Sequence, residues 1–367
     1  MATIDDNAVK ALLDRCRRDV DEGTLPSCQL ALGFEGAIVA EETFGDATTA
    51  TRYAMFSACK PMVSAVVWEL LASGAVRVDA PVAEYVPEFG ANGKGAVTVE
   101  QVMLHTGGFP HGVLWPHDVA THELRRAAFA RWELEWPPGS TYQYHPMSGH
   151  WVLAEIIYAV TGTDHCDAVA AGVTEPLGLP RVLGTTEEIA PVVVCGQPTD
   201  PDALQAAIGV REVDAGDATT DVLLMMNDPV VRAAGVPGGG AVMRAADVAH
   251  FYQALLHNPS SLWDPGWLTD VTGRVRNTLP ERFTKVPANR TLAFVVAGAD
   301  GLAAFRGLGR TASVQAFGHN GAGGQVAFAD PATGLSFGYC TNGLDADALR
   351  QWKRTLGIAS RAAVCAR

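Results

Sequence analysis

The chain has 367 residues, 48% hydrophobic and 18% charged, which is enough to bury a full core in two domains or one bilobed unit. A net charge of −13 argues against a nucleic-acid partner, whose phosphate backbone needs clustered Lys and Arg. No apolar run is long enough to span a bilayer, and the acidic start Met1-Ala2-Thr3-Ile4-Asp5-Asp6 lacks the apolar centre of a signal peptide. The expected setting is therefore the cytoplasm, with no membrane partner. Seven scattered cysteines without a C-x-x-C pair are expected as buried, reduced thiols.

In chain order, Val9, Leu12, Leu13, Cys16 and Val20 predict an amphipathic helix over about 7–22. Two strand-like runs follow, Cys28 to Phe34 and Ala37 to Phe44, joined at Glu35-Gly36 as a hairpin. Next comes Phe56-Ser57-Ala58-Cys59-Lys60-Pro61. Proline costs roughly 3 kcal/mol inside a helix but is tolerated in its first turn, so Pro61 sets a helix start close to Ser57, and Gly74 is a plausible stop. Residues three apart share a helix face, so Lys60 reaches back over Ser57. A serine nucleophile with a lysine base requires that arrangement. Lysine occurs only at Lys10, Lys60, Lys94, Lys285 and Lys353, which singles out Lys60 further.

From Asp79 the texture changes to short helical stretches broken by Pro, Gly and Trp: Val99 to His105, His122 to Ala130, Gly149 to Val160 and Ala245 to His257. Segment 184–240 is acidic and loop-rich and closes on Gly235-Val236-Pro237-Gly238-Gly239-Gly240. Strand patterns return at Leu292 to Ala297, Val314 to Phe317, Gln325 to Ala329 and Leu335 to Thr341, before a last helix from about Asp345 to Val364. Strands at both ends and helices between them predict an α+β fold. One antiparallel sheet is built from both termini (1–78 plus 290–367), a mainly helical stretch (79–289) is inserted, and the site lies in the cleft.

Several motifs are set aside. Gly334-Leu335-Ser336-Phe337-Gly338 matches G-x-S-x-G, but Ser336 sits inside a strand pattern and no histidine follows His319. The glycine stretches at 235–240 and 321–324 lack phosphate-loop spacing and mark turns or close backbone approach. His111, His117 and His122 lack metal-ligand spacing, so no metal is expected. Trp115, Trp132 and Trp136 are candidates for an acyl pocket or for core packing.

Two further segments complete the picture: Pro137-Pro138-Gly139-Ser140-Thr141-Tyr142-Gln143-Tyr144-His145-Pro146 before a helix, and Phe317-Gly318-His319-Asn320-Gly321-Ala322-Gly323-Gly324 at a strand edge. With these the chain, from about 20 to 345, resembles the serine β-lactamase-like superfamily. The likeness is to its class C-like branch, which includes family VIII carboxylesterases, D-aminopeptidases and acyl transferases. Ser57-Ala58-Cys59-Lys60 resembles the first motif, Tyr144-His145-Pro146 stands where Tyr-x-Asn does, and His319-Asn320-Gly321 where Lys-Thr-Gly does. Leu104-His105-Thr106-Gly107-Gly108 and Gly238-Gly239-Gly240 through Asp247 resemble accessory segments; His105 and Asp247 are expected to fix loops.

The resemblance implies a β-lactamase/transpeptidase-like fold. It also implies a Ser57 acyl-enzyme, Lys60 and Tyr144 as proton carriers, and an oxyanion hole from the N–H groups of Ser57 and Ala322. His145, Pro146, His319, Asn320 and Gly321 would line the site. No metal or organic cofactor is needed. Pro146 lacks the amide of the asparagine it replaces, and His319 lacks the lysine's charge, so a small-molecule ester or amide is the expected substrate. An acyl transferase, a β-lactamase and a non-catalytic binding protein are the alternatives. An oligomeric state is not legible in the sequence.

Overall fold

The computed structural model describes residues 2–212, 219–282 and 284–367. The acidic stretch 184–240 is therefore described except for 213–218, which lie outside the described residues. Helix α1 (Asp6–Asp21) is N-capped by Asp5, whose carboxylate accepts from the N–H groups of Asn7 and Ala8. Strands β1 (Ser27–Phe34) and β2 (Ala37–Gly45) form the expected hairpin, turning on Glu35 and Gly36, both at positive φ. After β3 (Tyr53–Ala54), one tight helical turn, Phe56–Cys59, runs into α2 (Lys60–Ala72), with Pro61 in its first turn.

The middle of the chain holds α3 (Val99–Met103), α4 (His122–Phe129), α5 (Ser148–Thr161), α6 (His165–Val169), β4 (Val193–Cys195), α7 (Pro201–Ile208), α8 (Thr220–Leu224) and α9 (Pro229–Ala233). It continues with β5 (Val242–Met243), α10 (Ala245–His257) and α11 (Pro265–Gly273). The chain closes with β6 (Val295–Val296), β7 (Phe317–Gly318), β8 (Val326–Asp330), β9 (Leu335–Thr341), β10 (Gly343–Asp345) and α12 (Ala348–Ala362).

The main sheet has the order β2-β1-β9-β8-β7-β6 and is antiparallel throughout. Its centre joins the two ends of the sequence, with Cys28 opposite Thr341 and Gly33 opposite Ser336. Alternate residues of β9 divide the core. Leu335, Phe337 and Tyr339 meet α1 and α12 around Leu12, Cys16 and Ile358, while Ser336 and Cys340 face α10. Glycines set how closely α10 can lie. A Cβ on Gly338 would stand 2.4 Å from the Ala245 carbonyl oxygen, and one on Gly33 2.5 Å from Gln253 Cγ. Among the described residues no helix is long and apolar enough to cross a membrane.

The fold is the β-lactamase/transpeptidase-like α+β arrangement expected, but some boundaries differ. The run Leu292 to Ala297 is a strand only at Val295–Val296, because Thr291 and Phe294 close a turn through Thr291 N–H to the Phe294 carbonyl. The expected strand Val314 to Phe317 is Phe317–Gly318. The last helix begins after Asp347, its N-cap, because Gly343–Asp345 pairs in parallel with β4.

Candidate functional site

Ser57 stands on a strained approach. Phe56 has φ +46°, a left-handed conformation costly for a residue with a bulky side chain, and the buried ring is held by Ala54, Val192, Val242 and Leu344. The short ribbon of β3 and β5 lies directly upstream. Ala54 pairs with Val242, and Met55 N–H donates to the Ala241 carbonyl. That pairing carries the glycine stretch at 238–240 up to the start of α2.

Lys60 is fully buried and its amine has three neighbours. Nζ lies 2.7 Å from the Pro146 carbonyl oxygen, 2.5 Å from that of Gly238 and 3.1 Å from Ser57 Oγ. Burial lowers its pKa to about 7; the neighbouring Cys59 thiol opposes the shift and Arg290 adds to it. A neutral amine has two N–H donors and one lone pair. Two carbonyls take the donors, and the third direction is the serine hydroxyl.

Tyr144 closes the other side. Its ring centre is 5.3 Å from Lys60 Nζ, and His105 packs against it at 4.6 Å between centroids. The hydroxyl is buried beside Ser57 and, among the described residues, closes no hydrogen bond of ordinary geometry. Burial raises its pKa to about 12, against the pull of Arg290 and of the Ser57 hydroxyl. At neutral pH this phenol keeps its proton. His105, itself at φ +58° just past α3, accepts the His145 N–H on Nδ1, so it fixes the Tyr144 loop as expected.

The strand-edge segment supplies the facing wall. His319 Nδ1 donates to the Asn320 carbonyl, which leaves Nε2 as a buried acceptor without a partner among the described residues. Burial, and then the charge of Arg290, hold the ring neutral. The Asn320 amide donates to the Gly307 carbonyl and accepts from Ala327 N–H, so its side chain is engaged in holding the edge. Ser57 and Ala322 each lie in the first residues of a helical turn, where backbone N–H groups lack intrahelical acceptors.

A cavity of about 300 Å³ opens here, lined by Ser57, Tyr144, Pro146, Arg290, His319 and Ala322 among others. Its walls come from residue ranges 1–78, 79–289 and 290–367 alike. Asn320 reaches this lining; His145 and Gly321 do not. His145 turns into the core, where Nε2 accepts from Phe109 N–H and Nδ1 donates to the Gln143 carbonyl. Gly321 packs beneath, and a Cβ there would stand 2.2 Å from the Met55 carbonyl oxygen.

The motifs set aside resolve structurally. Ser336 is buried in β9, donating to the Ala249 carbonyl and accepting from Gln253. His111, His117 and His122 each pair with a different carboxylate, Glu135, Asp118 and Glu155. Trp132 stacks on Phe109, Trp136 meets His145 edge-on, and Trp115 is exposed; none lines the cavity. Among the described residues the group with metal-ligand spacing is Asp164, His165 and Cys166. Burial works against charge on His165, but Asp164 and Cys166 outweigh it and raise the ring to about 10, and His165 Nε2 also meets the Gly235 carbonyl. Two site residues lie outside the predicted set: Gly238, whose stretch the sequence marks as a turn, a close backbone approach or an accessory segment but gives no contact to Lys60, and Arg290, which carries no motif.

This fold with a buried lysine on a serine at a helix start defines a serine–lysine site of the β-lactamase/transpeptidase-like class. The Beta-lactamase family model matches residues 7–360, and the chain belongs to that family. It is 28% identical over 318 residues to "Esterase/beta-lactamase LipL" of Mycobacterium tuberculosis, covering 79% of this chain and 69% of that protein. Among solved structures, a family VIII carboxylesterase superposes with TM-score 0.77 at 24% identity over the whole of both chains. A penicillin-binding protein homologue from Caulobacter crescentus superposes equally, TM-score 0.77 at 22% identity, again over both whole chains.

Proposed function

We propose that the protein is a serine hydrolase of small esters working through a Ser57 acyl-enzyme. The observation that carries this reading is the Lys60 amine, held by two carbonyls with its remaining direction on Ser57 Oγ and its pKa lowered to about 7. Neutral Lys60 takes the Ser57 proton as Oγ attacks the ester carbonyl. The oxyanion is received by the N–H groups of Ser57 and Ala322, and one such donor is commonly worth about 10²- to 10³-fold in rate. The C–O bond to the alcohol then breaks, and the alcohol leaves with a proton passed from Lys60 through the Tyr144 hydroxyl. Water adds to the acyl carbonyl and gives a proton to Lys60; as the bond from the acyl carbon to Oγ breaks, Lys60 returns that proton to Ser57 Oγ, the acid departs, and the neutral amine is restored.

Esters are favoured over β-lactams because Pro146 offers only a carbonyl, already taken by Lys60, where an asparagine side chain would hold the amide of a β-lactam's acyl group. The names of relatives, an esterase/β-lactamase and a family VIII carboxylesterase, support a hydrolase. The seven thiols are free, six of them buried, which supports a reducing, cytoplasmic setting. Turnover of 4-nitrophenyl butyrate beside a chromogenic cephalosporin, with and without added alcohols, tests the reading. Fast ester hydrolysis with slow cephalosporin opening is expected. Faster cephalosporin turnover would make the enzyme a lactamase, and product diverted to new esters would make it an acyl transferase.

A further inference from the structure

The cavity beside Ser57 holds two arginines in different states. Arg306 is committed: Nη1 donates to the Ala297 carbonyl and to Asp300, Nη2 to Asp300, and Nε to the Pro287 carbonyl. Arg290 is only 7% exposed, yet among the described residues no carboxylate lies within ion-pair distance of it. Its Nε donates to Tyr142 Oη at 2.8 Å, and its guanidinium carbon lies over the Tyr142 and Tyr144 rings, 5.7 and 5.1 Å from their centres. The two Nη groups have no protein acceptor among the described residues.

Burying a guanidinium without a counter-ion is costly, all the more notable in a chain of net charge −13 with acidic residues to spare. The planar fork matches a carboxylate through two parallel N–H···O bonds. Nothing else in the lining competes. His319 presents a lone pair, Lys60 is spent on carbonyls and Ser57, and Arg306 already has Asp300.

We infer that Arg290 is a specificity-determining residue that receives a carboxylate of the substrate, so that the preferred substrates are esters bearing a free carboxylate. The inference rests on the hydrolase reading above and names its substrate class. A purely positioning role, with the guanidinium only bracing Tyr142 and Tyr144, would change all substrates alike.

Three chromogenic esters separate the cases: neutral 4-nitrophenyl butyrate, mono-4-nitrophenyl glutarate with the anion on the acyl side, and 3-carboxy-4-nitrophenyl butyrate with the anion on the leaving group. Wild type is expected to prefer one anionic ester over the neutral one in kcat/KM, and which one locates the carboxylate. In Arg290→Gln that ratio falls by about 10- to 100-fold, the worth of charge-assisted hydrogen bonds, and Arg290→Lys retains part of it. A ratio unchanged in Arg290→Gln, or no anionic preference in wild type, overturns the inference while ester turnover upholds the hydrolase. If wild type turns over no ester, the hydrolase reading fails instead. Calorimetry of wild type with glutarate against neutral glutaramide then decides, with selective glutarate binding supporting the Arg290 site and its absence overturning it.

Discussion

Two lysines of this protein are almost completely buried, and only one of them sits at a site. Lys60 and Lys94 are 1% and 0% exposed, both place Nζ on two backbone carbonyls, and burial lowers the pKa of each. Lys94 donates to the carbonyls of Ala91 and Trp132 and lies 5.7 Å from the centre of the Phe89 ring. It ties the 91–97 loop to the end of the 122–132 segment. Lys60 has one thing more, a serine hydroxyl at 3.1 Å that opens on a cavity. A depressed lysine is therefore a packing device in one place and a candidate base in the other. What separates them is the third neighbour.

Substitutions should break the likeness in graded fashion. Ser57→Ala removes the nucleophile and should lower kcat for 4-nitrophenyl butyrate by about 10⁴- to 10⁶-fold, with the thermal midpoint changed little. Lys60→Met should lower kcat by about 10³- to 10⁴-fold. It also strands the Pro146 and Gly238 carbonyls, at about 1–3 kcal/mol of stability by denaturant titration. Tyr144→Phe keeps the ring and removes the proton path, for an expected loss of about 10²- to 10³-fold.

The pH profile tests the amine without mutation. Below about pH 7 Lys60 gains a proton and loses its lone pair, so kcat/KM should fall about tenfold per unit and stand about 100-fold down at pH 5. Lys94→Met gives the smallest kinetic effect: the Ala91 and Trp132 carbonyls lose their donor, stability falls by about 1–3 kcal/mol, and kcat stays within about twofold. Equal kinetic losses in Lys60→Met and Lys94→Met would erase the distinction.

The legible parts of this chain were those written locally. Pro61 and the three-residue spacing placed Lys60 over Ser57, and continuous strand-like runs bounded by turn residues marked β1, β2, β8 and β9. The residues that escaped are assembled from afar. Gly238 reaches Lys60 only because the two-residue strands β3 and β5 pair, and strands that short carry no alternation to read. Arg290 stands at the cavity across a tight turn at 291–294 that starts the strand late and sets Arg290 opposite Val295. His145 shows the converse. It adjoins two cavity residues in sequence, yet hydrogen bonds to Phe109 and Gln143 draw its ring into the core.

The central claim is that Ser57, activated by Lys60, is the nucleophile. Its most direct test is intact mass and peptide mapping after a fluorophosphonate probe. One phosphonyl adduct on Ser57 is predicted, absent in Ser57→Ala and strongly slowed in Lys60→Met. An adduct on Ser336 or another serine, or an unlabelled wild-type protein, would contradict it.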